Sequence, residues 1–207
     1  MDPHSVQSSL SSQGMSPTAF RAALDGVPKA ERDGWVDRVL GLGELPEDSR
    51  ELPRGCVPYL PCSVDALLRM VELAHVTSDD VFVDIGSGLG RATTLTHLLT
   101  GASAIGIEIQ SALVHRSREL ATRLNLPRVA TIEGDAAQPS RYLALGSVFF
   151  LYCPFGAERA HQLLDDIEPM AKARVVRVCS VHLPLPARAW LTPVSVSEDL
   201  AVYRSRL

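Results

Sequence analysis

This 207-residue chain is short of the features that mark membrane, secreted and nucleic-acid-coating proteins. No uninterrupted apolar run approaches the roughly 20 residues that a membrane-spanning helix needs, so the sequence predicts no membrane span. Residues 1–4 carry no basic cluster and no apolar stretch follows them, so we expect no secretory signal peptide. The 24 acidic residues outnumber the 20 basic ones, which argues against nucleic acid or an anionic membrane as a partner.

Cysteine is also scarce, and its positions form no C-x-x-C pair and belong to no short-spaced set of cysteines and histidines. The four residues are Cys56, Cys62, Cys153 and Cys179. Structural zinc sites use such short spacings, so the sequence predicts no metal site. Free thiols in a reducing compartment are the simplest interpretation, and we expect the protein to be cytoplasmic.

The composition changes twice along the chain. Residues 1–16 include six serines and few bulky side chains, which predicts a disordered tail whose deletion should be harmless. Residues 17–60 contain two short helical stretches, the second with its apolar face around Trp35, and a polar loop. Because an isolated short helix is marginal in water, we expect this segment to pack on the remainder, residues 61–207, as a lid or substrate wall.

From residue 61 onward, short apolar strands alternate with helices of about ten residues, which is typical of βαβ units and a parallel sheet. The final strand-like runs, 190–196 and 200–204, are separated by only three residues, so they must pair antiparallel. Pro193 marks a bulge or an unpaired side of that hairpin. The predicted fold is an α/β, doubly wound, mostly parallel sheet that ends in an antiparallel hairpin.

The sharpest motif is DIGSGLG at residues 84–90, directly after the first predicted strand. Its three glycines allow a tight turn with the backbone close to a ligand, and the next helix points its N-terminal amides at the same space. The spacing is G-x-G-x-G followed by Arg91, not the G-x-G-x-x-G of nicotinamide and flavin proteins. Asp84 is therefore expected to face a cationic ligand group. The alternative is a purely structural glycine turn.

Two more acids follow the next two predicted strands. Glu108 ends the second strand, where a carboxylate can accept hydrogen bonds from both hydroxyls of a ribose. Asp135 follows the third strand and suits an acceptor for the amino group of an adenine. Each also has an ordinary interpretation, a solvated strand-end carboxylate for Glu108 and a helix N-cap for Asp135. Together with Asp84, however, the three acids fall on the ligand crevice of one sheet.

With these motifs the chain resembles the class I S-adenosylmethionine-dependent methyltransferases over residues 60–207. Residues 84–90 match the first motif of that superfamily, Glu108 its ribose acid and Asp135 its adenine acid. The resemblance implies S-adenosyl-L-methionine as the cofactor and a protein or small molecule as the methyl acceptor. The residues that it implies for cofactor binding are Tyr59, Asp84, Gly86, Ser87, Gly88, Gly90, Glu108, Ile109, Asp135, Ala136 and Tyr152.

A narrower resemblance comes from VPYLP at residues 57–61, which is similar to the non-SET protein lysine methyltransferases, including the histone and ATP-synthase c-subunit enzymes. This resemblance implies a lysine side chain as the acceptor. LYCPFG at residues 151–156 lacks the [Asp/Asn/Ser]-Pro-Pro-aromatic motif of the nucleobase amino-methylases. It also lacks the asparagine that the histone enzymes carry at this point. Adenine or cytosine methylation is therefore not expected.

Three residues are candidates for the acceptor side of the site. Tyr152 can position a nucleophile, Phe155 can wall the substrate pocket, and His182 can act as a general base near neutral pH. Their alternatives are core packing for Tyr152 and Phe155 and a structural hydrogen bond for His182. Three functions stay open: methylation of a protein side chain, with lysine first; methylation of a small metabolite; and cofactor binding without turnover.

Overall fold

The computed structural model describes residues 2–44, 58–135, 142–152 and 157–206. The helices are α1 (Pro3–Gln13), α2 (Pro17–Asp25), α3 (Arg32–Leu40), α4 (Val64–Leu73), α5 (Arg91–Thr100), α6 (Ser111–Arg123) and α7 (Ala157–Ala173), with short 3₁₀ turns at Lys29–Glu31 and Leu143–Leu145. The strands are β1 (Val81–Ile85), β2 (Ser103–Glu108), β3 (Val129–Glu133), β4 (Val148–Tyr152), β5 (Arg177–Val181), β6 (Leu191–Val196) and β7 (Leu200–Ser205). None of the helices in these described ranges is long and apolar enough to cross a membrane.

The strands form one seven-stranded sheet in the order β3-β2-β1-β4-β5-β7-β6. The strands from β1 to β5 run parallel, whereas β7 pairs antiparallel with both β5 and β6. The predicted doubly wound, mostly parallel sheet with a terminal antiparallel hairpin is therefore confirmed. The β6–β7 ladder shifts register between Pro193 and Ser195, because proline has no N–H to donate to the ladder.

The strand order reverses at β1, which has β2 and β3 on one side and β4 and β5 on the other. Ile85, the last residue of β1, lies opposite Ile107 of β2 and Leu151 of β4. The carboxyl ends of these three strands therefore reach the same edge of the sheet. In open α/β sheets, ligands bind outside this edge at the point of reversal.

Two apolar layers cover the faces of the sheet, as its near-continuous apolar strands predicted. The helices from α1 to α6 share one cluster with one face, and it includes the adjacent rings of Phe20 and Trp35, 6.1 Å apart. Helix α7 covers the other face with Leu163 and Leu164, joined by Trp190 before β6. The three helices from α1 to α3 thus belong to the folded core.

Helix α1 lies where the sequence predicted a disordered tail over residues 1–16, so residues 3–13 depart from that prediction. The Asp2 carboxylate accepts a hydrogen bond from the Ser5 N–H at 2.9 Å and caps the helix. Val6 and Leu10 are fully buried in the same apolar cluster as α3. Two apolar residues four positions apart share one helical face. The prediction was wrong because it rested on the serine-rich composition and not on this spacing.

Candidate active site

The glycine motif forms a tight turn between β1 and α5. Gly86, Gly88 and Gly90 have φ values of 78°, 54° and 76°, which side-chain-bearing residues rarely adopt. The backbone N–H groups of Gly86 and Ser87 both donate to the carbonyl oxygen of Ile107, at 2.9 and 3.1 Å. The turn is thus tied to β2 at the edge where the strand order reverses.

Two close approaches hold this turn against its surroundings. A Cβ atom at Gly106 of β2 would lie 2.4 Å from the Ser87 hydroxyl oxygen, so the Ser87 side chain fills the space beside that strand. A Cβ atom at Gly90 would lie 2.2 Å from the Ser117 hydroxyl oxygen of α6. The N–H of Ser87 donates to Ile107 and its carbonyl oxygen accepts from the Gly90 N–H at 2.9 Å, so Ser87 helps to fix the turn, and its predicted cofactor contact stays a prediction.

Asp84 lies under the turn and is almost fully buried. Its Oδ2 atom accepts a hydrogen bond from the Thr93 hydroxyl on α5, at 2.8 Å. Burial, with a smaller contribution from the nearby charge of Glu108, raises the pKa of the Asp84 carboxyl to about 7, and the hydrogen bond from Thr93 opposes this shift. Asp84 therefore changes charge near neutral pH, and a cationic ligand group beside it would favour the ionised form.

Glu108, at the end of β2, contacts the same turn directly. Its Oε2 atom accepts a hydrogen bond from the Gly88 N–H at 2.8 Å. Its Oε1 atom accepts hydrogen bonds from the N–H groups of Ile109 and Gln110, both at 2.8 Å. A carboxylate has about four acceptor sites, so these three amides fix its orientation and leave capacity for a further donor. The sequence predicted both Glu108 and Ile109 for this site.

The Tyr59 ring lies against the glycine turn at Gly88. A Cβ atom at Gly88 would lie 2.0 Å from Cε2 of the Tyr59 ring, so only glycine lets the ring approach the backbone this closely. Burial raises the pKa of the Tyr59 phenol above its usual range, so the phenol stays neutral at physiological pH. The predicted cofactor residue Tyr59 therefore lies at the turn, and its contact with a cofactor stays a prediction.

Asp135 follows β3, and its carboxylate forms an ion pair with Arg159 on α7. Both side chains are mostly buried, with exposed fractions of 18% and 20%. The sequence singled out Asp135 but gave no sign of Arg159, which lies 24 positions away. Ala136, predicted to line the cofactor site, lies outside the described residues.

The acceptor candidates Tyr152 and His182 come together at the ends of β4 and β5. Tyr152 lies opposite Val181 in the β4–β5 ladder, and the centroids of its ring and the His182 ring are 6.1 Å apart. His182 has a φ of 51°, in the left-handed region that is costly for a residue with a side chain. Its N–H donates to the Asp199 carbonyl oxygen at 3.0 Å. Phe155, the third acceptor candidate, lies outside the described residues.

The turn that holds His182 is anchored to α4. The Asp199 carboxylate binds the Arg69 guanidinium at 2.7 Å and accepts a hydrogen bond from the Ser197 hydroxyl at 2.8 Å. These bonds lower the pKa of the Asp199 carboxyl to about 2. The backbone that receives the His182 N–H thus lies in a turn held by Ser197 nearby and by Arg69, which is far away in the sequence.

Arg91, the first residue after the glycine turn, is buried and connects the turn to the N-terminal helices. Its Nε atom binds Asp37 at 2.7 Å, its Nη2 atom binds Asp33 at 2.8 Å, and its Nη1 atom donates to the Cys62 carbonyl oxygen. Asp33 and Asp37 both lie on α3. Helix α3 of the predicted lid, residues 17–60, is therefore fixed to the start of α5, and the role of that segment as a lid or substrate wall stays a prediction. Residues 45–57 lie outside the described residues.

The residues that sequence reasoning missed all act through non-local contacts. Thr93 bonds to Asp84, and Arg159 pairs with Asp135. No local pattern identifies either partner, because the fold alone brings them together. Within the described ranges, no three His, Cys, Asp or Glu side chains come together as a possible metal site.

Comparison with known proteins finds a matching family model and a related protein. The family model described as "Histone methylation protein DOT1" matches residues 59–128, which span Tyr59, the glycine turn and Glu108. A protein-L-isoaspartate O-methyltransferase from Photorhabdus laumondii is 30% identical over 142 residues, which are 65% of this chain and 62% of that protein. This chain therefore corresponds to less than two thirds of the length of that relative.

The solved structures agree on the fold. An RNA methyltransferase from Salinibacter ruber, crystallised with S-adenosyl-L-homocysteine, is 27% identical with a TM-score of 0.56, covering 70% of this chain and 92% of its own. The Escherichia coli protein yhhF, at 19% identity and a TM-score of 0.57, covers 78% and 91% and supports the fold alone. The name of the Salinibacter ruber protein states RNA as the acceptor, whereas that of the Photorhabdus laumondii protein states isoaspartate.

Proposed function

We propose that this chain, which has the class I S-adenosylmethionine-dependent methyltransferase fold, transfers a methyl group from S-adenosyl-L-methionine to a nucleophilic side chain of a protein. The observation that carries the proposal is the unit formed by the glycine turn and Glu108. Three backbone amides aim the carboxylate at the edge where the strand order reverses. The relatives support both the cofactor and an enzymatic function.

The residues present fit the groups that this cofactor carries. Glu108 has acceptor capacity for ribose hydroxyls, and Asp135 suits the adenine amino group. Asp84, which titrates near neutral pH, suits the cationic amino-acid end. Gly88 lets the Tyr59 ring lie against the backbone of the turn, where a Cβ atom would collide with the ring.

When bound, S-adenosylmethionine supplies an electrophilic methyl group on a cationic sulfur that is already a good leaving group. The protein therefore needs mainly to align the acceptor with that methyl group and to exclude water. In our proposal, the cofactor-binding residues are Tyr59, Asp84, Gly86, Ser87, Gly88, Gly90, Glu108, Ile109, Asp135, Ala136 and Tyr152. The Tyr59 ring shields the turn from solvent.

On the acceptor side, Tyr152 positions the nucleophile through its hydroxyl, and Phe155 walls the pocket. A ring nitrogen of His182 takes the proton that an amine or hydroxyl must lose. The 6.1 Å ring spacing of Tyr152 and His182 supports a shared site for the two. The strained backbone at His182 also supports a functional role, because strain persists where the surrounding structure enforces it.

A lysine is the first acceptor that we propose, because the matching family model describes histone methylation and covers residues 59–128, which include Tyr59, the glycine turn and Glu108. The Photorhabdus laumondii relative names another protein acceptor, an isoaspartyl carboxylate. The net charge of −4 speaks against a long nucleic acid. A small metabolite is the alternative acceptor.

The acceptor can be identified by the chemical stability of the transferred methyl group. Purified protein is incubated with an extract and methyl-labelled S-adenosylmethionine, and label is counted separately in protein, RNA and small molecules. Label in protein that survives mild base and appears as methyl-lysine after acid hydrolysis supports the lysine proposal. Base-labile label in protein would indicate a carboxyl methyl ester instead. Label only in RNA or in small molecules would overturn the protein acceptor.

A further inference from the structure

The ion pair between Asp135 and Arg159 joins the cofactor edge of the sheet to helix α7. Asp135 follows β3, whereas Arg159 lies in the first turn of α7, which covers the face of the sheet opposite α6. The Nη2 atom of Arg159 binds the Oδ2 atom of Asp135, and both side chains are mostly buried. A pair with this burial and this sequence separation is not a loose surface contact.

We propose that Arg159 is a positioning residue for base recognition, which holds Asp135 ionised and in one orientation to accept a hydrogen bond from the 6-amino group of adenine. This inference rests on the proposed cofactor site. It assigns to α7 a part in selecting the cofactor, in addition to covering the sheet.

The chemistry of the pair suits this role. A guanidinium stays protonated in proteins and presents a rigid fork of donors, so it orients a carboxylate better than an ammonium does. The carboxylate has about four acceptor sites, so one bond to Arg159 does not prevent a second bond to an amino group. Because rotation of the Asp135 side chain is restricted before the ligand arrives, less ordering is required on binding.

A purely structural role for Arg159 makes a different prediction. If the pair only holds α7 against the end of β3, its loss should loosen the site and weaken every nucleoside ligand equally. If the pair positions Asp135, its loss should weaken only ligands with a donor at position 6 of the base. S-adenosylhomocysteine has an amino group there, whereas S-inosylhomocysteine has a carbonyl oxygen there and a proton on the neighbouring ring nitrogen N1; the rest of the two molecules is the same.

The test measures the dissociation constants of both ligands by calorimetry with full-length Arg159→Met. We expect the affinity for S-adenosylhomocysteine to fall about tenfold, as for the loss of one hydrogen bond to a charged group. The affinity for S-inosylhomocysteine should change less than twofold. Asp135→Asn should reproduce this selective loss, and the double variant should lose little more than either single variant.

Arg188→Met is the matched control. Arg188 likewise forms an ion pair that involves α7, here with Asp165 on that helix at 2.9 Å. Neither residue belongs to the proposed site, so the affinities for S-adenosylhomocysteine and S-inosylhomocysteine should stay unchanged. If Arg159→Met does not fold, Arg159→Lys keeps the charge without the fork and should show a smaller loss in the same selective direction. Equal losses of affinity for both ligands, or no loss for either, would overturn the proposed role of Arg159 and leave the proposed function standing. Failure of the wild-type protein to bind S-adenosylhomocysteine would overturn the proposed function as well.

Discussion

The crevice has a proposed cofactor half, around the glycine turn and Glu108, and a proposed acceptor half, around Tyr152 and His182. The two halves are held in place in different ways. In the cofactor half, Glu108 is fixed by the backbone amides of Gly88, Ile109 and Gln110, all within the turn and the end of one strand. In the acceptor half, Tyr152 and His182 are positioned by strand register and by a distant turn. In our proposal, backbone groups of the fold therefore hold the cofactor contacts, whereas the acceptor contacts rest on side chains.

The largest effect that we expect comes from Glu108→Ala, which breaks the cofactor half at its centre. The change removes the ribose acceptor and leaves three amides without their carboxylate partner. Hydrogen bonds to a charged group contribute about 1.5–3 kcal/mol each, so the affinity for S-adenosylhomocysteine should fall about 100-fold. Calorimetry measures this loss, and circular dichroism checks the fold. Glu108→Gln keeps one carbonyl acceptor and should lose less. A folded Ala variant within threefold of wild type would show that Glu108 is not a ligand.

Tyr152→Phe tests the acceptor role of the hydroxyl, because it deletes only that group and keeps the ring, through which Tyr152 would contact the cofactor. We expect turnover to fall more than about tenfold, equivalent to about 1.4 kcal/mol of barrier. The affinity for S-adenosylhomocysteine should stay within twofold of wild type. Steady-state rates on the identified acceptor and calorimetry measure the two quantities. Unchanged turnover would remove the hydroxyl from the mechanism and leave His182 as the acceptor-side residue to test.

Asp84→Asn should raise the thermal stability of the protein above pH 7 and weaken its binding of the cofactor. The pKa of Asp84 is raised from 3.8 to about 7 in the fold, so its favourable contribution is present below about pH 4 and is lost as the pH rises through 7. The variant should therefore unfold at a higher temperature than wild type above pH 7. This advantage should vanish near pH 4.

The same change should weaken binding of the cationic cofactor severalfold at pH 7.5 and flatten its pH dependence. In the wild-type protein, affinity for S-adenosylmethionine should rise from pH 6 to pH 7.5 as Asp84 ionises. Titration of the Asn variant in parallel corrects for protonation of the ligand itself. A variant with wild-type affinity and the same pH dependence would place Asp84 outside the binding site.

The smallest effect on binding should come from helix α1, which is remote from both halves. Leu10→Ala empties a buried position and should lower the free energy of unfolding by about 2–4 kcal/mol. Affinity for S-adenosylhomocysteine should stay within twofold. Ser8→Ala, on the exposed side of the same helix, is the control and should leave stability nearly unchanged. Unchanged stability in Leu10→Ala would mean that residues 3–13 do not pack as a helix in solution.

The parts of the site that the sequence predicted are those that follow from strand ends. Glu108 and the glycine turn could be predicted from the sequence because parallel strands bring their carboxyl ends to one edge of the sheet. A residue at the end of such a strand is therefore expected in the crevice. The spacing of residues 190–204 left no room for a crossover, which determined the antiparallel hairpin.

The remaining features depend on tertiary contacts that no local pattern encodes. Arg159 reaches Asp135 only because α7 begins beside the end of β3. The neighbouring rings of Tyr152 and His182 follow from the β4–β5 register. In the sequence, Arg91 argues only against a nicotinamide or flavin dinucleotide site. Its bonds to α3 follow from the fold.

The most direct test of the central claim is the ligand preference of the unmodified full-length protein. Calorimetric titrations with S-adenosylhomocysteine and with NAD, under the same conditions, compare the two chemistries that a glycine-rich turn in such a sheet can serve. The Asp84 and Glu108 carboxylates around a G-x-G-x-G turn predict saturable binding of S-adenosylhomocysteine and no binding of NAD. Clear binding of NAD, with no heat from the sulfur nucleoside, would contradict the account.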